Sequence, residues 1–238
     1  MTIHILATGT SRGIGRAVLD RFGGEDVRIV GHRSSAAEDD PASISADLTD
    51  PTAPRRIWEQ ALETLDGRID VLVNNAGIFE AASIDAPDAA WAEAWNRTMQ
   101  INLAASADLC RHAVLHFRRH GGGRIVNVAS RAAYRGDSPA HWHYAASKAG
   151  MVAMTKTIAR GYAAENILAF AICPGFTMTG MAEDYLASRG GDKLLADIPL
   201  GRVADPAEVA ETVRFLALDA PASMTGAVID INGASYVR

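Results

Sequence analysis

Tyr144 and Lys148 are the residues of this chain whose types and spacing most directly suggest chemistry. They lie four positions apart in the segment His-Tyr-Ala-Ala-Ser-Lys-Ala-Gly, and on a helix this spacing places both side chains on one face. A nearby ammonium favours the phenolate, so we expect Lys148 to lower the pKa of Tyr144 from its reference value of about 10. Such a tyrosine can exchange a proton with a carbonyl or alcohol oxygen. The alternative is a pair on a helix surface without a catalytic role.

A glycine-rich segment follows the first apolar run. It reads Thr-Gly-Thr-Ser-Arg-Gly-Ile-Gly from Thr8 to Gly15 and precedes a helical pattern. Glycines at a strand-to-helix turn let the backbone approach a pyrophosphate, which binds at the positive end of the helix. The spacing differs from Gly-x-Gly-x-x-Gly, and a purely structural glycine turn is the alternative. We predict dinucleotide contacts from Gly9, Ser11, Arg12, Gly13, Ile14 and Gly15.

The tip of the second predicted strand indicates which dinucleotide binds. An NAD site usually has a carboxylate about 20 residues after the glycines, where it binds the ribose hydroxyls. This chain has Arg33 and Ser34 at the strand tip. The guanidinium groups of Arg33 and Arg12 can bind a 2′-phosphate, and Ser34 can donate a further hydrogen bond. The sequence therefore favours NADP(H) over NAD(H), with two solvated arginines as the alternative.

The elements that must position these residues follow from an alternation of short apolar runs and longer helical patterns. This alternation predicts an α/β fold in which helices cover both faces of a doubly wound, Rossmann-like parallel sheet of seven strands. The predicted strands are 3–8, 27–31, 43–46, 71–74, 124–129, 167–173 and 228–231. The predicted helices are 13–22, 53–65, 88–118, 144–163 and 206–218.

Two features concern the organisation of the second half. Asp205 as N-cap, Pro206 in the first turn and Glu208 three residues after the cap predict the start of the last helix. Residues 177–200 show weak periodicity and contain two adjacent glycines, so we expect them to form a substrate lid. No linker divides the chain, and we predict one domain over residues 1–238.

Bulk composition limits the classes of partner. A net charge of −5 with 21% charged residues gives no electrostatic reason to expect nucleic acid or an anionic membrane as partner. No apolar stretch reaches membrane-spanning length, and the first residues lack signal-peptide features. Cys110 and Cys173 lie in apolar runs, as buried thiols in a reducing compartment do. We therefore expect a cytoplasmic protein that binds neither nucleic acid nor a membrane.

Three histidines and one aromatic segment carry weaker signals. His112, His116 and His120 recur at four-residue spacing, but no nearby cysteine or carboxylate completes a metal site. We therefore predict a solvated helix face there and no metal. The segment before Tyr144 contains His141, Trp142 and His143, which could select a substrate or could simply pack.

Taken together, these motifs resemble the short-chain dehydrogenase/reductase family in its classical form. Beside the glycine turn, Asp47-Leu48 resembles the pair that contacts the adenine ring, and Asn74-Asn75-Ala76-Gly77 matches the signature after the fourth strand. The segment from Pro174 to Thr179 resembles the one beside the nicotinamide. The resemblance implies further coenzyme contacts from Asp47, Leu48, Asn75, Ala76, Gly77, Tyr144, Lys148, Pro174, Gly175, Thr177 and Thr179.

The same resemblance implies catalytic roles. Asn102, Ser130, Tyr144 and Lys148 match the catalytic tetrad of the family. Hydride would move between nicotinamide and substrate carbon while Tyr144 exchanges a proton with the substrate oxygen. Ser130 would hydrogen-bond that oxygen, Lys148 would also hold the nicotinamide ribose, and Asn102 would position a water. The alternatives are a strand-ending serine and an asparagine that satisfies backbone groups within a helix.

The expected activity is an NADP(H)-dependent interconversion of a small-molecule ketone and a secondary alcohol, with 3-oxoacyl-(acyl-carrier-protein) reductases as one possible type. One alternative is an NAD-linked alcohol dehydrogenase of the same fold. Another is a dinucleotide-binding sensor that performs no chemistry. Members of the family usually associate through their two long helices, so the resemblance also implies a homodimer or homotetramer.

Overall fold

The computed structural model describes residues 2–35, 43–178 and 195–238. Its seven strands form one parallel sheet in the order β3-β2-β1-β4-β5-β6-β7. The predicted fold class is confirmed, and so are the positions of all seven strands to within two residues at each end. The strands are β1 Ile3–Thr8, β2 Val27–Arg33, β3 Ser43–Ser45, β4 Val71–Asn74, β5 Gly123–Val128, β6 Ile167–Pro174 and β7 Val228–Ile231.

Seven α-helices accompany these strands in the described part of the chain. They are α1 Gly13–Arg21, α2 Ala53–Thr64, α3 Asp88–Met99, α4 Ala105–His120, α5 Ala132–Arg135, α6 Trp142–Tyr162 and α7 Pro206–Leu218. Short 3-10 turns follow at Ala163–Glu165 and Ala222–Met224.

Both faces of the sheet are buried because successive strand residues point to opposite sides. Leu6 of β1 and Leu72 of β4 pack in one core with residues of α2 and α4. Their neighbours Ile5 and Val73 pack in a second core with residues of α1 and α7. Every residue of β6 is buried, as expected for a strand covered on both faces. Burial of each such leucine or isoleucine stabilises the fold by roughly 1.5–3 kcal/mol.

The strand order creates a crevice. The chain moves outward from β1 through β2 to β3, then returns to place β4 on the other side of β1. The connections after β1 and β4 therefore leave opposite faces of the sheet, and ligands of open α/β sheets bind at such a switch point. The segments after β1, β4 and β5 carry most of the predicted site residues.

The predicted long helix 88–118 differs from the structure in its continuity and in its end. A π-helical turn, Gln100–Ala104, separates α3 from α4. The second part then continues to His120, where Gly121 ends it in the left-handed conformation with φ of 83°. Single π turns within α-helices often occur at functional sites, and this one contains Asn102.

The region around the predicted lid is only partly described. Residues 179–194, including the predicted coenzyme contact Thr179, lie outside the described residues. Thr177 forms a parallel bridge with Ala204, and α7 begins with the predicted capping box between Asp205 and Glu208. The lid itself stays a prediction.

The predicted solvated face of three histidines is wrong for His116, which is 8% exposed. Its Nε2 accepts a hydrogen bond from the Ile69 backbone N–H at 3.2 Å. The ring packs edge-on against Trp58 at 5.7 Å between centroids and stacks on His120 at 3.9 Å. His116 is therefore a structural residue that joins α4 to the segment before β4.

The burial of His116 makes the stability of the fold dependent on pH. Burial, followed by the nearby His120, lowers the pKa of His116 to about 4, against about 6.5 in an unfolded chain. Asp70 acts in the opposite direction and Arg119 in the same direction. Because the folded state holds the neutral ring, this stability is complete above about pH 6.5 and is lost as the pH falls toward 4. We expect a loss on the order of 2–3 kcal/mol, measured by urea unfolding at a series of pH values.

His116→Gln is the matched control for this prediction. Its amide oxygen can accept the Ile69 N–H but cannot titrate. The free energy of unfolding of this variant should therefore decline less between pH 6.5 and 4. An identical decline in both proteins would show that other groups cause the acid sensitivity.

No helix in the described ranges is long and apolar enough to cross a membrane.

Candidate active site

Tyr144 and Lys148 lie on consecutive turns at the start of α6. The Lys148 ammonium is 5.8 Å from the centroid of the Tyr144 ring. Lys148 is only 4% exposed, and its Nζ donates a hydrogen bond to the Val128 carbonyl at the end of β5, at 2.9 Å. The structure therefore brings the two side chains together and fixes the ammonium against the sheet.

The expected lowering of the Tyr144 pKa is wrong for the protein alone. Burial raises the pKa of Tyr144 to about 12, while a side-chain hydrogen bond with Ser130 acts in the opposite direction. Burial likewise lowers the pKa of Lys148 to about 8. Burial is the largest cause of each shift, because desolvation disfavours the charged form of both groups. Tyr144 is thus a neutral phenol at pH 7.

Ser130 lies two residues beyond β5 and is buried. Its Oγ accepts a hydrogen bond from the Ala132 N–H at 3.1 Å. The hydroxyl proton therefore remains available for donation, and the Ser130 hydroxyl opposes the effect of burial on the pKa of Tyr144. The next residue, Arg131, holds this turn to the sheet through a hydrogen bond from its N–H to the Pro174 carbonyl at 3.0 Å.

Asn102 is fully buried in the π turn. Its Oδ1 accepts from the Ile78 N–H at 2.8 Å, and its Nδ2 donates to the Ile78 carbonyl at 3.0 Å. Nδ2 also lies 3.3 Å from Ser147 Oγ on α6. Asn102 thus holds the segment after β4 against the helix that carries Tyr144, which agrees with the alternative that it satisfies backbone groups.

Gly77 marks the point at which these side chains meet. A Cβ at this position would lie 3.3 Å from Asn102 Oδ1 and 3.4 Å from Lys148 Nζ. Both polar groups therefore reach the space above the Gly77 backbone.

The glycine turn packs tightly against the segment after β4. Gly9 has a left-handed φ of 69°. A Cβ on Gly15 would lie 1.9 Å from the carbonyl oxygen of Gly9. Asn75 Nδ2 donates to the carbonyls of Thr8 and Gly9 at 3.0 and 2.9 Å. The Thr8 hydroxyl oxygen accepts from the N–H groups of Asn75 and Ala76.

These residues fit a dinucleotide. Arg12, the N-cap of α1, makes no side-chain capping bond, so no side chain of the cap occupies the amide donors of the first turn, which contains Gly13, Ile14 and Gly15. Ser11 and Arg12 are exposed beside that turn. A helix start of this kind, without bulky side chains, can accept a pyrophosphate.

The predicted 2′-phosphate and adenine contacts lie at the tips of β2 and β3. Arg33 ends β2, and its carbonyl accepts from the Ala46 N–H at 3.0 Å. Ser34 and Asp47 are exposed. Leu48 is buried in the core, so only its backbone could contact a nucleotide. The pKa of Asp47 is lowered, chiefly by the hydrogen bond from the Thr49 N–H.

The predicted segment beside the nicotinamide begins where β6 ends. The Gly175 N–H donates to the Ile231 carbonyl at 2.9 Å, and Thr177 Oγ1 donates to the Gly175 carbonyl at 3.3 Å. Pro174, Gly175 and Thr177 thus lie at the carboxyl edge of β6, the strand next to β5.

Sequence reasoning missed the buried His32. Its Nδ1 accepts from the Gly9 N–H at 3.4 Å, and its Nε2 donates to the Ala46 carbonyl at 2.9 Å. Burial lowers its pKa, which favours the neutral ring that these partners require. One imidazole thus connects the glycine turn to the segment before Asp47. No local pattern signals this role, since the residue lies within an apolar strand.

Known proteins resemble this chain along nearly its full length. Residues 9–234 match a family model described as enoyl-(acyl carrier protein) reductase. A 3-oxoacyl-(acyl-carrier-protein) reductase of Thermotoga maritima is 35% identical, covering 96% of this chain and 95% of the relative. The Escherichia coli enzyme of the same name is 30% identical, covering 98% and 96%.

A solved structure agrees with this similarity. The ligand-free aldohexose dehydrogenase of Thermoplasma acidophilum superimposes with a TM-score of 0.86 and 27% identity, covering 100% of this chain and 95% of that one. The family model and the relatives indicate the same family, and the site geometry fits it. The chain therefore belongs to the short-chain dehydrogenase/reductase family of NAD(P)-dependent oxidoreductases, which act on carbonyl and alcohol groups.

Proposed function

We propose that this protein reduces a ketone to a secondary alcohol with NADP(H), using Tyr144 as the proton donor. The observation that carries the proposal is the convergence of Tyr144, Ser130 and Lys148 beside the glycine turn at the carboxyl edge of the sheet. When bound, the nicotinamide would supply the hydride.

Tyr144 has the protonation state that reduction needs. A neutral phenol can donate its proton to a carbonyl oxygen as that oxygen gains negative charge. The hydroxyl of Ser130 can donate a hydrogen bond that stabilises the same oxygen. Because both hydroxyl groups are fixed by α6 and the turn after β5, they require little reorganisation when charge develops.

Lys148 and Asn102 would serve the coenzyme side of the site. Their polar atoms reach the space above Gly77, where a ribose hydroxyl could accept from the ammonium. The hydrogen bond from Lys148 to the Val128 carbonyl keeps the ammonium oriented. With a pKa of about 8, Lys148 is mostly protonated at pH 7 and keeps a positive charge near the developing oxyanion.

The preference for NADP(H) is supported by Arg12. Its guanidinium is exposed and forms no hydrogen bond or ion pair with the rest of the described chain. We expect Arg12→Ala to weaken NADPH binding about tenfold and NADH binding less than about threefold, since a charged hydrogen bond contributes roughly 1.5 kcal/mol or more. Fluorescence titration with each coenzyme measures both constants.

The matched control is Arg16→Ala, one turn further along α1. Arg16 pairs with Asp20 at 3.0 Å on the exposed face of the helix, so its loss should leave both affinities near wild type. Tighter binding of NADH than of NADPH by the unaltered protein would contradict the proposed preference and favour an NAD-linked dehydrogenase.

The substrate class rests on the relatives and on the surface near the site. Several relatives bear the name 3-oxoacyl-(acyl-carrier-protein) reductase. Phe176 and Met178, which flank Thr177, keep 37% of their surfaces exposed and could contact an apolar chain. We therefore infer a ketone of the 3-oxoacyl type.

The test of the function is a screen of ketones with NADPH and of alcohols with NADP, followed by the absorbance of the reduced coenzyme. Turnover of 3-oxoacyl thioesters or esters above other ketones supports the proposal. Tight coenzyme binding without turnover of any ketone or alcohol would indicate a dinucleotide-binding sensor instead.

We also infer a homo-oligomer in the cytoplasm. Leu115 on α4 is 38% exposed, which supports a subunit contact along this helix. Both cysteines are free and buried, which suits a reducing compartment. Sedimentation velocity would measure the mass of the particle, and a monomer at micromolar concentration would contradict the assembly.

A further inference from the structure

His141 and Tyr144 both pack against the ring of Phe79. The imidazole of His141 stacks on Phe79 with 3.9 Å between centroids and 3° between planes. Phe79 in turn meets the Tyr144 ring edge-on at 4.8 Å and 81°. Phe79 therefore contacts both the imidazole of His141 and the ring of Tyr144.

The polar contacts of the imidazole are all made by Nδ1 in the described part of the chain. Ser138 Oγ lies 2.6 Å from Nδ1, and Asp137 Oδ1 lies 4.0 Å from the same nitrogen. The loop that carries them is joined to the segment after β4 by a hydrogen bond from the Ala82 N–H to the Ala140 carbonyl at 2.8 Å. Within the described ranges, Nε2 forms no hydrogen bond, and the side chain keeps 13% of its surface exposed. Nε2 is thus the ring atom left for a ligand.

The charge of this ring indicates the kind of ligand. Burial lowers the pKa of His141, Asp137 raises it and His143 lowers it further. The ring is therefore mainly neutral at pH 7, and Nε2 either donates or accepts one hydrogen bond according to the tautomer. Asp137 also disfavours an anion here. A neutral hydroxyl or carbonyl oxygen matches these properties better than a carboxylate or phosphate.

We propose that His141 determines substrate specificity by hydrogen-bonding, through Nε2, a second oxygen of the ketone. This inference rests on the proposed ketone reduction. The ligand class is a hydroxy ketone or a keto ester, in which the second oxygen would lie beside Phe79 while the reacting oxygen contacts Tyr144. Phe79 fixes the imidazole plane, so little rotamer entropy is lost when the bond forms.

The test compares ketones with and without that oxygen. Acetoin and ethyl acetoacetate carry a second oxygen, and methyl propyl ketone does not. We expect the ratio of kcat/KM for the oxygenated ketones to kcat/KM for methyl propyl ketone to fall about tenfold in His141→Phe, since one hydrogen bond contributes roughly 1–1.5 kcal/mol. The phenyl ring can still stack on Phe79 but has no nitrogen.

Two further variants sharpen the result. His141→Gln presents an amide near the position of Nε2 and should restore part of the ratio, and it also keeps the test informative if the phenylalanine variant misfolds. His112→Phe removes an imidazole from α4 and should keep the wild-type ratio. A fall with acetoin alone would assign the contact to a hydroxyl group, and a fall with ethyl acetoacetate alone to an ester oxygen.

The outcomes separate this inference from the proposed function. Turnover of all three ketones with the same ratio in wild type, His141→Phe and His141→Gln would overturn the role of His141 while leaving ketone reduction intact. Absence of turnover with any ketone, in wild type with bound coenzyme, would overturn both.

Discussion

Tyr144→Phe is expected to reduce kcat for ketone reduction about a thousandfold, because general acid catalysis contributes roughly a hundred- to ten-thousandfold. The substitution removes only the hydroxyl group. The phenyl ring can keep its edge-on contact with Phe79 and its position near Lys148. Coenzyme affinity should therefore change less than about threefold. Steady-state kinetics and coenzyme titration measure the two effects separately.

Tyr162→Phe is the control for this experiment. Tyr162 lies at the other end of α6, where its ring packs beneath the guanidinium of Arg118 at 4.9 Å. Loss of its hydroxyl should leave kcat near wild type. If Tyr144→Phe kept more than about a tenth of wild-type turnover on a good substrate, the phenol could not be the proton donor.

Gly15→Ala is expected to abolish dinucleotide binding and to destabilise the fold. The new methyl group would lie 1.9 Å from the Gly9 carbonyl oxygen and 2.6 Å from Asn75 Nδ2. The start of α1 would have to move away from the backbone of Gly9. Overpacking of this kind costs about 1–3 kcal/mol or more. We expect a loss of coenzyme affinity of at least about a hundredfold, since the displaced atoms belong to the turn that we predict to bind the phosphates. Thermal unfolding and coenzyme titration test both effects.

Gly161→Ala provides a matched change elsewhere. Gly161 lies near the end of α6, and a Cβ there would meet no atom within 4 Å. Alanine favours helix over glycine by about 1 kcal/mol, so stability should stay the same or rise slightly. Coenzyme binding by Gly15→Ala with wild-type affinity would show that the turn can open without loss of function.

The fold could be predicted from the sequence because its strands are short apolar runs buried on both faces. Such runs, separated by helical patterns, have few alternative architectures. The start of α7 could also be predicted, since its capping box is a local sequence signal. The break at Gln100–Ala104 was not: it contains Asn102, whose hydrogen-bond partner Ile78 lies 24 residues earlier in the chain.

The candidate site was predictable as a set of residues but not as an electrostatic environment. Spacing placed Tyr144 beside Lys148, whereas the pKa of each depends on burial by segments far apart in the chain. The same limit applies to His116, whose partner Ile69 belongs to another element. Leu48 shows a further limit, since the motif predicts a contact but not that the side chain faces the core.

The wide turn at Gln100–Ala104 has a consequence for how this chain tolerates change. Each residue of a regular helix advances about 100° around the axis, so one additional residue within the turn sets the angular phase between α3 and α4. A substitution in α3, α4 or the π turn leaves this angle unchanged. Deletion of a single residue from the π turn would convert it to regular α-helix and rotate α3 relative to α4. Either the face with Leu109 and Phe117 would then leave the core, or Asn102 would rotate away from Ile78.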